Sequence, residues 1–248
     1  MLSASEPNPM DALIRKLGSI ATFSAEERQA IERLPVNVRM LHPRQDIVRD
    51  GSKPSQCCLL LSGWACRYKL LRDGRRQILS FHIPGDIPDL QSLQIPTMDH
   101  SVATLTEAKV AFISHESLRG LTECFPGIGE VLTRCVLLDA ATFREWMVGM
   151  GRRDAFEAIA HLLCELYLKL QAVGLAENYR FSLPFTQTDL GDALGLSYVH
   201  VNRVLQEMRG KSLITLRCHI LEITGWDELL RIAEFDATYL HLEQRAAG

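Results

Sequence analysis

The segment from Thr186 to Ile214 encodes two short helices joined by a tight turn. Thr186 and Asp189 form a helix-start signal, and Gly195 is typical of the left-handed residue that ends a helix. Ser197 then caps a second helix, because apolar residues follow it at spacings of three and four. These inward residues are Val201, Val204, Leu205 and Met208. The segment therefore predicts a helix-turn-helix.

The second helix of this motif turns a polar face outward. Asn, Gln and Arg on that face can form the paired hydrogen bonds that identify base edges in the major groove of DNA. Since the N-terminal half of such a helix meets the bases, the first candidates for base contacts are Tyr198, Val199, Asn202 and Arg203. The remaining predicted DNA-binding residues are His200, Gln206, Arg209 and Lys211, of which the last two are placed to hold phosphates.

Two short alternating stretches, residues 213–216 and 220–223, follow across a Cys218-His219 turn and predict a β wing. On the helix pair alone, an ordinary solvated helix face is an equal alternative, because such pairs are common in helical proteins. The wing and a preceding long helix favour DNA binding.

The N-terminal half has the pattern of a β domain. Two short helices, residues 11–17 and 24–34, come first, and the second opens with Ser24 and Glu27 as a capping box. Apolar stretches at 57–61, 65–71 and 77–83 are then broken by turn dipeptides. These are Asp50-Gly51, Ser62-Gly63, Asp73-Gly74 and Pro84-Gly85, and Asp73-Gly74 predicts a two-residue type I′ hairpin. The pattern is that of an antiparallel, jelly-roll-like β roll.

Residues 126–153 predict one long helix with two adjacent apolar stripes. The first is Leu132, Val136, Ala140, Phe143, Met147 and Met150, and the second is Val131, Cys135, Leu138 and Trp146. Such a helix needs two partners, which we take to be its own β domain and the same helix of a second subunit. A central helix buried within one chain is equally compatible with the pattern. Asp154 caps a further helix that runs to about Val173.

The fold class is therefore α+β: an N-terminal antiparallel β roll, a long connecting dimerisation helix and a C-terminal winged helix-turn-helix. A chain of 248 residues exceeds the usual size of one domain. We predict a sensor domain at 1–125, the dimerisation helix at 126–153 and a DNA-binding domain at 154–248.

Composition narrows the function further. A net charge of −3 argues against coating nucleic acid without specificity, but allows a locally basic surface. No apolar run approaches the roughly 20 residues of a membrane span, and the N-terminus lacks a secretion signal, so a cytoplasmic protein is expected. The seven cysteines include no pair with the two-residue gap of a metal site, and we predict no metal.

The order of elements and several motifs resemble the Crp/Fnr family of bacterial regulators, over nearly the whole chain. The motifs are Gly63, Asp73-Gly74, Pro84-Gly85-Asp86, and Leu194-Gly195-Leu196-Ser197 followed by Val201-Asn202-Arg203-Val204-Leu205. The resemblance implies a cyclic-nucleotide-binding-like sensor domain, a homodimer through the long helix, and recognition helices in successive major grooves of a palindromic operator. Expected partners are double-stranded DNA, a second copy of the chain and a small-molecule effector, with RNA polymerase as a further candidate.

The resemblance also gives an expectation for two positions of the second helix, which the family uses as its recognition helix. Arg203 falls where the family places its base-reading arginine. Val199 stands where many members carry glutamate, so the operator is expected to differ from the commonest family consensus.

The resemblance places an effector pocket at Gly85, Asp86, Asp89, His100 and Ser101. Nucleotide-binding members carry a Gly-Glu pair and an Arg-Ser or Arg-Thr here, whereas this chain has Pro88 for the glycine, Asp89 for the glutamate and His100 for the arginine. Proline has no N–H to donate, and a neutral imidazole does not replace a charged guanidinium on a phosphate. These differences argue against cyclic AMP, and we assign no effector or cofactor.

Redox and haem sensing stay open as alternatives. Cys57, Cys58 and Cys66 could form a redox-sensitive group, but they alternate with leucines in predicted strands, which favours a core position. The family's iron–sulfur members carry a cysteine cluster near the N-terminus, where this chain has none before Cys57. Haem could be held by His82, His100 or His115, although a lone histidine in a β domain is usually a hydrogen-bonded side chain.

Two other functions fit part of the pattern. A binding or scaffold module could use the helix-turn-helix for protein contacts. A cupin-like enzyme would require clustered His and carboxylate ligands, which the sequence lacks, so no catalytic residue is predicted. The predicted function is a sequence-specific, DNA-binding transcription regulator and not an enzyme.

Overall fold

The computed structural model describes residues 8–242. Its helices are α1 (Asp11–Leu17), α2 (Ala25–Glu32), α3 (His115–Cys124), α4 (Pro126–Arg152), α5 (Ala155–Ala172), α6 (Gln187–Leu194), α7 (Tyr198–Gly210) and α8 (Trp226–Ala233). Its strands are β1 (Asn37–Leu41), β2 (Asp46–Val48), β3 (Gln56–Ser62), β4 (Ala65–Leu70), β5 (Arg76–His82), β6 (Ser101–Thr104), β7 (Ala108–Ser114), β8 (Arg180–Ser182), β9 (Ile214–Arg217) and β10 (Ile220–Ile223). Within residues 8–242, no helix combines the length and the apolar character that a membrane crossing requires.

The chain forms two compact units. The first contains the chain up to Cys66 together with His82–Val136, and the second contains Arg67–Phe81 together with the chain from Leu137 onward. Most of the β4–β5 hairpin thus belongs to the second unit, and α4 begins in the first unit and ends in the second. The domain boundaries after residues 125 and 153 remain a prediction.

The strands between α2 and α3 form antiparallel sheets, in agreement with the predicted β roll. One sheet has the strand order β1-β7-β3, with Leu59 of β3 opposite Ala111 of β7. A second sheet has the order β2-β6-β4-β5. Leu59 and Ile113 share a core with Leu13 and Leu17 of α1, because α1 turns its apolar side toward the first sheet.

The β4–β5 turn differs from the predicted two-residue type I′ turn. That turn needs a positive φ at both central residues, and here only Gly74 has one, at 84°. The Leu71 N–H donates to the Arg75 carbonyl over 2.8 Å, so the loop between these two residues contains three residues, and the Gly74 N–H donates to the Leu71 carbonyl over 3.0 Å. Two consecutive positive φ values occur instead between β9 and β10, at Cys218 (49°) and His219 (62°).

Helix α4 has the two apolar faces that the sequence predicted. The second stripe is buried or half-buried, and Trp146 contacts the Phe81 ring at a centroid distance of 5.9 Å. The first stripe is largely exposed: Val136, Phe143, Met147 and Met150 lie at the surface, Ala140 is half-buried, and only Leu132 is buried. Residues 8–242 of a single chain leave this stripe uncovered, which argues against a helix buried within one chain.

The C-terminal part is a winged helix-turn-helix. Strands β8, β10 and β9 form a sheet in that order, and α5 packs against α7 and α8. Asp154 caps α5 as predicted, since its carboxylate accepts hydrogen bonds from the N–H groups of Phe156 and Glu157. Strand β8 has no counterpart in the sequence prediction.

Candidate nucleic-acid interface

The helix-turn-helix is held together by local contacts between α6 and α7. Thr186 and Asp189 form the predicted capping box, and Gly195 ends α6 in the left-handed conformation with a φ of 69°. A Cβ at Gly191 would lie 2.5 Å from the Leu196 carbonyl oxygen, so only glycine lets the turn pass this close to α6. The Ser197 hydroxyl then accepts a hydrogen bond from the His200 N–H and starts α7.

Helix α7 is anchored by one face. Val201, Val204, Leu205 and Met208 are all buried, as the spacing predicted. Burying four apolar side chains fixes the rotation of the helix about its axis. The opposite face is therefore presented outward in a defined way.

The outward face carries most of the predicted DNA-binding residues. Tyr198 and Val199, in the first turn of α7, are 63% and 59% exposed, which leaves an apolar and aromatic surface free for contact. Arg203, Gln206 and Arg209 are exposed, and His200 is half-buried. The face is accessible to a partner, and its contacts with DNA remain a prediction.

Asn202 is placed differently from its neighbours. It is half-buried, and its Nδ2 donates a 2.9 Å hydrogen bond to Oε1 of Gln187 at the start of α6. Sequence reasoning missed Gln187, because nothing local to α7 identifies a partner on the preceding helix. Part of the hydrogen-bonding capacity of Asn202 thus links the two helices.

The two predicted phosphate contacts lie at the far end of α7. The Arg209 Nε donates to the Leu205 carbonyl over 3.2 Å, within its own helix. The Lys211 Nζ lies 2.9 Å from a Glu207 carboxylate oxygen and 4.8 Å from the centre of the Phe156 ring. Lys211 remains more than half exposed, so a phosphate would compete with Glu207 for it.

The predicted effector residues have partners within the protein. Gly85, with a φ of 99°, lies against α1, where an added Cβ would be 2.5 Å from the Ala12 carbonyl oxygen. One Asp86 oxygen lies 2.8 Å from Lys16 Nζ, and the other lies 3.4 Å from His82 Nδ1. This turn is therefore fastened to α1.

The other three residues make further internal contacts. Asp89 is buried, and its Oδ1 accepts a 2.8 Å hydrogen bond from the Cys58 N–H. His100 lies 2.7 Å from Asp99 through Nδ1 and 3.1 Å from Gln91 through Nε2, and the Ser101 hydroxyl accepts from the Asp50 N–H over 3.0 Å. An effector role for the five residues stays a prediction.

The cysteines of the β roll lie in the core. Cys57, Cys58 and Cys66 are fully buried. Burial, followed by the nearby Asp89 charge, raises the pKa of Cys57 to about 12 and that of Cys58 well above its usual value. Since the thiolate is the reactive form, these positions favour a packing role over redox sensing.

The three candidate haem ligands also have protein partners. Besides the contacts of His82 and His100, the His115 Nε2 lies 3.0 Å from the Ser92 hydroxyl. Burial and the Arg119 charge lower the pKa of His115, so it stays neutral near pH 7. These contacts agree with hydrogen-bonded structural histidines.

Comparisons with known families match both halves of the chain. Residues 38–123 match the cyclic nucleotide-binding domain, and residues 157–232 match the Crp-like helix-turn-helix domain. The second match contains α6, α7 and the wing, which are the elements that present the outward face described above.

Individual relatives match over most of their length. The chain is 26% identical over 232 residues to the transcriptional activator protein FnrL of Cereibacter sphaeroides, covering 92% of each protein. It is 29% identical to the nitrogen fixation regulation protein FixK of Rhizobium meliloti over 219 residues, 88% of this chain and 92% of FixK. Among solved structures, FixK2 from Bradyrhizobium japonicum shares the fold, with a TM-score of 0.75 at 23% identity over 82% of this chain and all of that one.

Proposed function

Because the chain belongs to the Crp/Fnr family, we propose that it is a transcription regulator that binds a specific DNA operator through α7. The observation that carries the proposal is the exposed outer face of α7, which is anchored by a buried face, preceded by a capped α6 and followed by a wing. This arrangement matches the way a recognition helix enters the major groove. Arg203 is the residue from which we expect the main base-specific contact, to guanine.

The regulator acts as a homodimer in this proposal. The uncovered apolar stripe of α4 is the expected contact surface, since a contiguous apolar stripe on a helix is typical of a helix–helix interface. A twofold dimer would place two copies of α7 on successive major grooves of a palindromic site.

The proposed function implies two further partners of the protein, a small-molecule effector and RNA polymerase. A signal received at the β roll would shift the dimer between states of different DNA affinity, as a small-molecule effector does. FnrL is named as a transcriptional activator, which supports RNA polymerase as a partner. These relatives are regulators rather than enzymes, and we propose a cytoplasmic protein without catalytic activity.

The proposal is tested by selecting binding sites for the purified protein from random DNA and then measuring affinity for the selected operator and for unrelated DNA. Arg203→Ala is expected to cost about 1–3 kcal/mol on the operator and to relax base choice at one position. Lys211→Ala should weaken both DNAs by the same factor. Arg33→Ala, at an exposed position after α2, is the matched control and should leave both affinities unchanged.

Two outcomes would contradict the proposal. If no sequence is enriched, or if Arg203→Ala leaves operator binding unchanged, the helix-turn-helix does not read DNA and a protein-contact module becomes the better explanation. If Arg203→Ala and Lys211→Ala weaken both DNAs equally, the division into base and phosphate contacts is wrong.

A further inference from the structure

The β4–β5 hairpin lies inside the family match of the N-terminal half but packs with the C-terminal half. By family match it lies inside the cyclic nucleotide-binding domain, which spans residues 38–123. By its contacts, Arg67–Phe81 is part of the same compact unit as the helix-turn-helix. The residues that make these contacts are therefore candidates for controlling the DNA-reading helices from outside them.

Arg76, at the start of β5, makes the most specific of these contacts. Its Nη2 donates to Asp189 Oδ1 over 2.6 Å, and its Nε donates to Asp192 Oδ2 over 2.8 Å. Both carboxylates lie on α6, one helical turn apart. The next residue, Gln77, donates from Nε2 to the Ala193 carbonyl over 3.2 Å. The hairpin thus holds α6 at three positions along one side.

The contact between Arg76 and Asp189 is largely shielded from water. The side chains are 21% and 7% exposed, so solvent screens this ion pair less than a surface pair. Apolar contacts support it, since Phe81 at the other end of β5 stacks on Phe185 with 4.0 Å between ring centres.

Asp189 also fixes the start of α6. Its Oδ2 accepts hydrogen bonds from the Thr186 N–H at 2.9 Å and the Thr186 hydroxyl at 2.6 Å. Although burial favours the neutral acid, the hydrogen bonds from Thr186 and Arg76 lower the pKa of Asp189, so the carboxylate is charged. Removing Arg76 would leave a mostly buried charge with fewer partners at the first turn of α6.

We propose that Arg76 is a positioning residue for DNA binding. Its bonds to Asp189 and Asp192 fix α6, and thereby α7, in the arrangement that presents the outer face of α7 to DNA. Movement of α6 would reach α7 because the Gly191 backbone packs tightly against the turn between the helices. The Arg76 contacts and the exposed outer face of α7 occur in the same structure. This inference rests on the proposed function.

The test compares Arg76→Ala with Arg75→Ala in the full-length protein. Arg75 is the adjacent arginine, is 77% exposed and pairs with Asp73 inside the hairpin, so its removal changes the charge equally without touching α6. Arg76→Ala is expected to lower affinity for the selected operator at least tenfold and affinity for unrelated DNA less than threefold. Arg75→Ala should change both less than twofold. Operator affinity that is unchanged or increased in Arg76→Ala overturns the inference.

A double-mutant cycle separates positioning from general loss of folding. Asp192→Ala removes the carboxylate that accepts from Arg76 Nε and leaves the capping box of α6, formed by Thr186 and Asp189, intact. Circular dichroism and urea unfolding verify that each variant is folded. If the bond between Arg76 and Asp192 positions α6, the variant that carries both substitutions binds the operator no more weakly than Arg76→Ala alone. Losses that multiply independently would overturn the inference. If the wild-type protein selects no DNA sequence, the proposed function fails first, and the inference fails with it.

Discussion

Stability should depend on pH through one buried histidine. His161, on α5, is 5% exposed, and the rings of Phe235 and Tyr239 pack on it at centroid distances of 4.8 and 5.9 Å. Its Nε2 lies 3.3 Å from a Glu145 oxygen but has no hydrogen-bond partner among residues 8–242. Burial, together with the Arg153 charge, lowers the pKa of His161 to about 4, and the opposing effect of Glu145 is smaller.

The sign and size of the effect follow from linkage. In the unfolded chain the imidazole binds a proton near pH 6.5, whereas in the folded chain it does so only near pH 4. Falling pH therefore favours the unfolded state across this window, and stability present above pH 6.5 is lost toward pH 4. The full loss is about 3 kcal/mol, of which about 2 kcal/mol has occurred by pH 5.

The measurement is urea unfolding at pH 7, 6 and 5, at one protein concentration, for wild type and His161→Phe. Phenylalanine keeps the aromatic packing and removes the titrating ring, so every other ionisable group is shared. The free energy of unfolding of wild type, relative to the variant, should fall by about 2 kcal/mol between pH 7 and 5. His161→Asn serves as a second, smaller variant. Parallel pH profiles for wild type and both variants would refute the reasoning.

Three further predictions concern the dimer, a turn and the thiols. Phe143→Asp puts a charge into the exposed α4 stripe and should turn the proposed dimer into a monomer in analytical ultracentrifugation; an unchanged mass would reject this interface. Gly63→Ala should cost about 3 kcal/mol or more in urea unfolding and Gly74→Ala only about 1–2 kcal/mol. Both glycines have a φ near 85°, but only at Gly63 would the new Cβ clash with backbone, at the Glu107 carbonyl oxygen. Equal losses would therefore contradict the steric argument. Exposed Cys218 should react with a thiol reagent within minutes, and buried Cys57 only at the rate of unfolding; similar rates for both would show that the core opens readily.

Helix starts were the most predictable part of the structure. Ser24, Asp154, Thr186 and Ser197 each cap the helix that the sequence assigned to them. A cap depends on hydrogen bonds to residues two or three positions away, so its signal is contained in a short window of sequence. The inner face of α7 was predictable for the same reason, since one helical period fixes it.

Contacts between distant segments were not predictable. Arg76 and Asp189 are 113 residues apart, and nothing in either neighbourhood indicates the other. Strand β8 has only three residues and is defined by its pairing with β10, not by its own pattern. The β4–β5 turn was assigned from a dipeptide, but the hydrogen bonds of the flanking strands decided the loop length.

The attachment of the hairpin to α6 has a consequence for recombining regulators. A chimera that joins the N-terminal half of one relative to the helix-turn-helix of another would exchange operator specificity. Residues 124–156 lie between the two family matches and are the obvious place to join the two parents. A crossover there takes Arg76 from one parent and its two carboxylates from the other. If Arg76 has the proposed positioning role, chimeras of this protein should bind their operator tightly in two cases only. Either the second parent supplies acids at the positions of Asp189 and Asp192, or the β4–β5 hairpin is exchanged together with α6.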